Sequence, residues 1–335
     1  MDLWSLSDLS TPWALRVVVT LRIAERLAEG PAQVGELARA AGCDAAYLRR
    51  TLTHLASKGV FDEPEPGTFA LNDAARGLLD EPLRLFLDLD GVGGRLAGAW
   101  AAFLPAVRRG EPAYRELYGM TFWDDLEAHP RLSESFDALM GPAGHGDFDP
   151  EILVGGDWDG VSEVVDVGGG TGAALAAILR ARPGVRGTLV ELPATAARAA
   201  ESFAAAELAE RATVIPGSFY DSLPAGKDVY LVRKVLNDLP DREALALLRG
   251  CAQAAGVSGR VVVVGSVSLE PIARGGLTPE LVLVGGTERT LEDFRELAGQ
   301  AGLVVSATGE QRSGRTVVEC RPESPGRRAG GLPRV

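Results

Sequence analysis

At 335 residues the chain is longer than one hydrophobic core ordinarily serves, so two domains are the expectation; 46% hydrophobic and 24% charged residues is the balance of a folded globular protein and excludes disorder as the default. A formal net charge of −12 at pH 7 disfavours nonspecific attraction to phosphate backbones and to anionic membrane surfaces. Cys43, Cys251 and Cys320 are odd in number and far apart, which suggests neither a disulfide framework nor a zinc site, and without a leader-like or long uncharged apolar segment a cytoplasmic, metal-free protein is expected.

In chain order, Thr11-Pro12 opens a helix with Thr11 as its cap, and Trp13, Val17, Leu21, Ala24 and Ala28 recur at helical spacing until Gly30-Pro31 stops it. Val34–Ala41, a turn at Gly42-Cys43-Asp44 and Ala45–Lys58 then read as helix-turn-helix, and Val60-Phe61 with Thr68–Leu71 as a small hairpin around a turn-rich Asp62–Gly67. This order is a winged helix. Taken literally it would place Arg49, Arg50, His54 and Lys58 against DNA, yet residues 1–80 hold 8 Lys/Arg against 11 Asp/Glu and the wing carries Asp62, Glu63 and Glu65. A helical dimerisation module fits that charge better.

Residues 83–150 read as a mostly helical connector, with Trp100, Phe103 and Leu104 on one face and Phe122, Trp123 and Leu126 on another. From Val161 strand and helix alternate: Val164–Val167, Ala173–Arg182, Gly187–Glu191, Ala196–Ala209, Thr213–Ile215, Asp228–Val232, Arg242–Ala255 and Arg260–Val267. Such alternation means an α/β, doubly wound parallel sheet covered on both faces. The helix Leu291–Gly302 follows, then Leu303–Thr308 and Arg315–Cys320 as a closing antiparallel hairpin; the Pro-, Gly- and Arg-rich tail 322–335 has little to bury and is expected to be flexible.

Residues 164–172 run Val-Val-Asp-Val-Gly-Gly-Gly-Thr-Gly, a strand entering a glycine turn and then a helix N-terminus. Gly168, Gly170 and Gly172 lack the Cβ that would block tight turning and close approach of a ligand, and the helix start offers free N–H groups. The glycines alone are ambiguous, because Gly168, Gly170 and Ala173 also satisfy the dinucleotide fingerprint with Glu191 about 20 residues on. Asp166 tips the choice: a carboxylate there can face an amino group but would repel a pyrophosphate, and S-adenosylmethionine has the former and lacks the latter. Ser218-Phe219 after the third strand suits an adenine edge and face, and Arg233 ends the fourth strand beside the cleft.

Together VVDVGGGTG, GTLVELP at 187–193, PGSFYDSLP at 216–224, DVYLVRKVLNDLPD at 228–241 and GGTERTLEDFRELAGQAGL at 285–303 resemble bacterial small-molecule O-methyltransferases related to plant caffeate and isoflavone methyltransferases, in their anthracycline-type branch. The resemblance covers nearly all of residues 10–321. It implies a class I methyltransferase Rossmann-like fold behind a winged-helix dimerisation domain, with residues 1–82 for dimerisation, 83–150 as connector lining the acceptor pocket, 151–321 binding S-adenosylmethionine and 322–335 as tail. It also implies a homodimer through the N-terminal helices and a small aromatic or polyketide-like acceptor between the domains. By motif position Asp166, Gly168 and Gly170 lie near the methionine end of the cofactor, Glu191 holds the ribose, Ser218 and Phe219 the adenine, and Arg233 lies beside it. Tyr118, Trp123, Met140 and the Gly144-His145 turn match stretches that line the family's acceptor pocket.

The pattern breaks where the base should be. Most members have His in the V-L-H-D-W segment; here it is Asn237, and an amide takes up no proton at neutral pH. The carboxylate that usually steadies that base falls at Gly265, while the third polar residue remains as Glu288. The stretch Pro271–Val284 is shorter than usual, with Glu280 near a position the family fills with Met. Of the three histidines, His145 between Gly144 and Gly146 is the candidate to replace the base; His54 reads as packed or solvated in the winged-helix module, and His129, after an acidic helix, as near the cofactor carboxylate. Three functions stay open: methyl transfer to a phenolic or polycyclic acceptor by alignment, a non-methylating reaction using the sulfonium charge, and a winged-helix transcription regulator.

Overall fold

The computed structural model describes residues 2–141, 148–269 and 279–323, apart from the side chains of Pro279 and Glu280. The expected tail therefore lies almost wholly outside the described residues. The chain forms two compact units, Met1–Gly98 with Arg131–Gly146, and Ala99–Pro130 with Asp147–Val335, so that the stretch 83–150 is divided between them.

The first unit is built on helices Ser10–Thr20, Ile23–Leu27, Val34–Ala41 and Ala45–Ser57 and on strands β1 (Ala32–Gln33), β2 (Asp62–Glu65) and β3 (Thr68–Ala70), ordered β1-β3-β2 and antiparallel. Its core gathers Val18, Val19, Ile23, Leu27, Leu48, Leu52, Leu55, Phe61 and Phe69. Three local expectations are corrected. Asp8, rather than Thr11, receives the first helical N–H groups, from Ser10 at 2.8 Å and Thr11 at 3.4 Å. The single helix expected up to Ala28 breaks at Arg22, whose φ of 56° is left-handed. In the wing the acidic Asp62–Glu65 is the strand and Val60-Phe61 is not, because Phe61 takes φ 74° to turn its ring into the core at 1% exposure.

In the second unit a seven-stranded sheet runs β6-β5-β4-β7-β8-β10-β9, from β4 (Glu163–Val167), β5 (Arg186–Glu191), β6 (Ala212–Pro216), β7 (Val229–Arg233), β8 (Arg260–Val264), β9 (Leu303–Glu310) and β10 (Thr316–Pro322). The first five are mutually parallel and β10 pairs antiparallel with β8 and β9. The continuous apolar runs have a direct cause. Val165, Val167, Tyr230, Val232, Val261 and Val263 enter one core with helices Asp241–Ala255 and Leu291–Gln300, whereas Val164, Val229, Leu231, Val262 and Val264 enter the other with helix Ala173–Ala181. Successive residues of a strand point to opposite faces, so both must be apolar. No helix among the described residues is long and apolar enough to cross a membrane.

The chain moves outward from β4 to β5 and β6, then crosses back to β7 on the other side of β4. Beyond the carboxyl ends of β4 and β7 lies the crevice where open α/β sheets bind ligands.

Candidate active site

The loop after β4 is shaped by its glycines. Gly168, Gly170 and Gly172 have φ of 70°, 61° and 78°, the left-handed region open to residues without a Cβ. Gly169 is required for a different reason: a Cβ there would sit 2.3 Å from Asp166 Oδ2 and 2.6 Å from Leu189 Cδ1. Gly172 begins helix Ala173–Ala181 against Phe203, whose ring would lie 2.4 Å from an added Cβ. Phe219 lies 3.3 Å from the corresponding point on Gly168, so the loop expected to meet an adenine reaches the glycine turn.

Asp166 is wholly buried at the end of β4, and neither carboxylate oxygen has a hydrogen-bond partner among the described residues. Burial drives its pKa up to about 7, with Arg233 opposing and Glu191 reinforcing the rise. A buried carboxylate without a donor is costly, and a cationic N–H donor in the crevice relieves that cost. The amino group of S-adenosylmethionine is such a donor, so the residues present fit that cofactor. Glu191, at the end of β5, accepts the Gly170 N–H and the Leu192 N–H, each at 2.8 Å, which ties loop and second strand together. Ser218 Oγ accepts from Tyr220 N at 3.2 Å and Ser218 N donates to Asp221 at 3.2 Å, closing the turn that presents Phe219.

Arg233 ends β7 with its guanidinium 4.4 Å from the centroid of Phe148, and its Nη2 is buried without a partner among the described residues. Burial and then the nearby Arg315 push its pKa down to about 10, while Asp166 pulls it up.

Asn237 sits in the short turn Leu236–Asp238, where Ser266 Oγ donates to its Oδ1 at 2.9 Å and its Nδ2 donates to Asp238 at 2.8 Å. Its backbone carbonyl accepts the Thr287 N–H at 2.9 Å, and Gly286 packs so closely that an added Cβ would lie 2.2 Å from that carbonyl. The amide is thus held in one orientation as a hydrogen-bonding group and offers no basic nitrogen. Gly265 brings no carboxylate; its surroundings are the side chains of Lys234 and Arg315, 3.3 and 3.5 Å from where a Cβ would stand. Glu288 is exposed.

The neighbouring Arg289 is 3% exposed and fixes the turn: it donates to the carbonyls of Leu236 and Leu239 and to Asp241 Oδ1, the last two at 2.8 Å through Nη2. Arg289 and Ser266 escaped the reading of motifs. Arg289 stands inside G-G-T-E-R-T, where the glutamate drew attention, and Ser266 lies one residue beyond the position searched for a carboxylate.

Tyr118 and Trp123 belong to an aromatic group in which Tyr114 lies 4.6 Å from Tyr118 and 5.2 Å from Phe122, and Phe122 lies 5.1 Å from Trp123. Helix Ala113–Tyr118 begins against Gly285, one residue from the glycine at Asn237, through Pro112. Beneath it Asp125 is fully buried, accepts from Tyr114 Oη and meets His129 Nδ1 at 2.8 Å. Met140, 37% exposed, belongs to the other unit. His145 and the Glu280 side chain lie outside the described residues. His54 is accounted for locally, with Nε2 2.9 Å from Thr11 Oγ1.

The sequence matches the family model of the O-methyltransferase domain over residues 100–304 and that of the O-methyltransferase dimerisation domain over residues 4–81. The chain belongs to this O-methyltransferase family. Among relatives of the methyltransferase, a 2,7-dihydroxy-5-methyl-1-naphthoate 7-O-methyltransferase of Streptomyces carzinostaticus is 41% identical over 312 residues, 92% of this chain and 93% of the relative. The aclacinomycin 10-hydroxylase RdmB of Streptomyces purpurascens is 38% identical over 330 residues, 94% of this chain and 86% of the relative. The crystal structure of the O-methyltransferase NcsB1 from neocarzinostatin biosynthesis, in complex with S-adenosylmethionine and 2-hydroxy-5-methyl naphthoic acid, superposes with a TM-score of 0.89 at 38% identity, covering 96% of this chain and 99% of that one. The doubly wound fold and the methyl-donor chemistry expected from the glycine loop are those of this family, and S-adenosylmethionine is the cofactor of the O-methyltransferase.

Proposed function

We propose that this O-methyltransferase methylates a hydroxyl of a small phenolic or polycyclic aromatic of secondary metabolism, by alignment rather than by general-base catalysis. The observation that carries the proposal is Asn237 bonded to Ser266 and Asp238, with Gly265, the residue before Ser266, supplying no carboxylate. When bound, S-adenosylmethionine supplies a methyl group already activated by a positively charged sulfur. Asp166 takes its amino group, Glu191 its ribose, Ser218 and Phe219 its adenine, with Arg233 and the Gly168–Gly170 backbone alongside. Asn237 orients the acceptor oxygen, with Glu288 and His145 as further polar groups; Tyr118, Trp123, Met140 and Glu280 are assigned to the acceptor.

A missing base costs about 10²–10⁴ in rate, whereas alignment of the reacting atoms contributes roughly 7–11 kcal/mol toward the barrier. An acidic acceptor therefore tolerates the loss. Incubation with a panel of hydroxylated naphthoates, phenazines and anthracyclines, read by mass spectrometry for a gain of one methyl group and for S-adenosylhomocysteine, tests this; S-adenosylhomocysteine absent across the panel counts against it.

A second reading keeps the cofactor as a fixed charge for a non-methylating reaction such as hydroxylation. It is favoured by the similarity to a relative named as a 10-hydroxylase, together with the lost base. We further assign the front domain, 1–82, to homodimer formation: Leu3, Trp4, Leu6 and Leu9 are 77%, 86%, 64% and 73% exposed, more apolar surface than a solvated helix face presents. The acidic charge of that domain argues against nucleic acid as partner.

A further inference from the structure

The end of the sheet beside Asn237 gathers two arginines. In the strand register Arg233 pairs with Val264 and Val264 with Val317, and the Gly265 N–H donates to the Thr316 carbonyl at 2.9 Å. Arg315, just ahead of β10, is thereby brought to the same edge as Arg233. Its Cδ and Cγ lie 3.5 and 3.9 Å from the point a Cβ on Gly265 would occupy, so its stem crosses the glycine, whose missing Cβ leaves that space open. The Arg233 guanidinium stacks 4.4 Å from the centroid of Phe148, with Nη2 enclosed and without a partner among the described residues. No ion pair joins either guanidinium to a carboxylate among the described residues; the charge of Arg315 lowers the pKa of Arg233, that of Asp166 raises it, and Lys234 flanks Gly265.

Two like charges brought together in a partly dry crevice repel each other, and an anion between them relieves the repulsion and satisfies the enclosed N–H. Ser266 follows Gly265 directly and holds Asn237, so this positive edge adjoins the group that orients the acceptor. We infer that Arg233 and Arg315 form a paired-guanidinium subsite for an anionic oxygen of the acceptor, the carboxylate of an aromatic hydroxy acid or its phenolate.

The inference rests on the methyl-transfer reading. With the phenolate bound, the pair stabilises the anion and the acceptor hydroxyl gives its proton to solvent before reaction, which dispenses with a base; with the carboxylate bound, the pair holds the acceptor in line and an acidic hydroxyl ionises to solvent unaided. The oxygen lone pair then forms the O–C bond as the C–S bond breaks, and that bonding pair stays on sulfur. An arginine pair is suited to a planar oxyanion because its N–H groups match two oxygens at once.

The test is calorimetric and needs no turnover. With S-adenosylhomocysteine bound, 2-hydroxy-5-methyl naphthoic acid and its methyl ester are titrated into the unsubstituted enzyme, R315Q and R315K, with S-adenosylhomocysteine titrated alone as the control. R315Q weakens the acid about tenfold or more and leaves S-adenosylhomocysteine within about twofold, while R315K, which keeps the charge and loses the fork, falls between. If the ester binds the unsubstituted enzyme as tightly as the acid and also weakens in R315Q, the bound oxygen is the phenolate; if the ester is weak throughout, it is the carboxylate. Loss of S-adenosylhomocysteine affinity equal to that of the acid, equal acid affinity in all three proteins, or no binding of the acid to the unsubstituted enzyme at millimolar concentration overturns the inference. Methyl transfer could fail with the binding result intact, so the two readings fall separately.

Discussion

Replacing Asp166 by Asn removes a charge without changing shape, and its consequences oppose each other with and without cofactor. The pKa of this buried carboxyl is about 7 in the folded chain against 3.8 when free. Between those values the folded state holds a proton that the unfolded chain has released, so stability falls as pH rises from about 4 to about 7 and stays flat above. The gap of about 3 pH units, at roughly 1.4 kcal/mol each, makes the ionised carboxylate a burden of up to about 4 kcal/mol above pH 7. Urea unfolding followed by tryptophan fluorescence should show the cofactor-free wild type losing about 2 kcal/mol, relative to D166N, between about pH 5.5 and pH 7. At pH 8 the cofactor-free D166N should be the more stable protein. S-adenosylhomocysteine, whose amino group pairs with the carboxylate, should stabilise the wild type and bind D166N about 30–100-fold more weakly, the worth of one charge-assisted hydrogen bond in a dry site. Unchanged affinity for S-adenosylhomocysteine in D166N would refute the assignment of Asp166 to the amino group, and a cofactor-free D166N less stable than wild type at pH 8 would refute the burial cost of its carboxylate.

Three further outcomes follow from the packing. Gly172→Ala would drive a Cβ to 2.4 Å from the Phe203 ring at a φ of 78°, and a loss of about 2–4 kcal/mol is expected by denaturant unfolding. R289K leaves the Leu236 and Leu239 carbonyls under-satisfied and frees the turn carrying Asn237, so kcat should fall about 10–100-fold with S-adenosylhomocysteine affinity held within about twofold. N237A should cost about tenfold in kcat, less than loss of a general base, and leave the pH–rate profile unchanged in shape; a lost ionisation would show that Asn237 works through a titrating partner.

The fold of the second unit was legible because most strands end in a glycine or turn signal, as at Gly168, Gly217 and Gly265, and the helices between them carry apolar residues at their own period. Ala173–Ala181 and Asp241–Ala255 stand within a residue of their expected ends. The wing was not legible: Asp62–Glu65 carries turn composition, yet its strand is imposed by pairing with β3, and pairing leaves no trace in local propensity. The cofactor loop could be read because glycine, carboxylate and strand order all bear on one ligand. What holds the catalytic turn could not, since Ser266 and Arg289 reach Asn237 and its carbonyl neighbours across 29 and about 50 residues, a relation that exists only once β7, β8 and the chain after Gly285 are side by side.

The most direct measurement is the fate of the cofactor's methyl carbon. With S-adenosylmethionine labelled by carbon-13 at that position and an aromatic hydroxy acid as acceptor, the product should carry the label on oxygen, with one S-adenosylhomocysteine formed per product. A product that gains oxygen or loses carbon dioxide without the label, with the cofactor left intact, would contradict methyl transfer and establish the non-methylating reading instead.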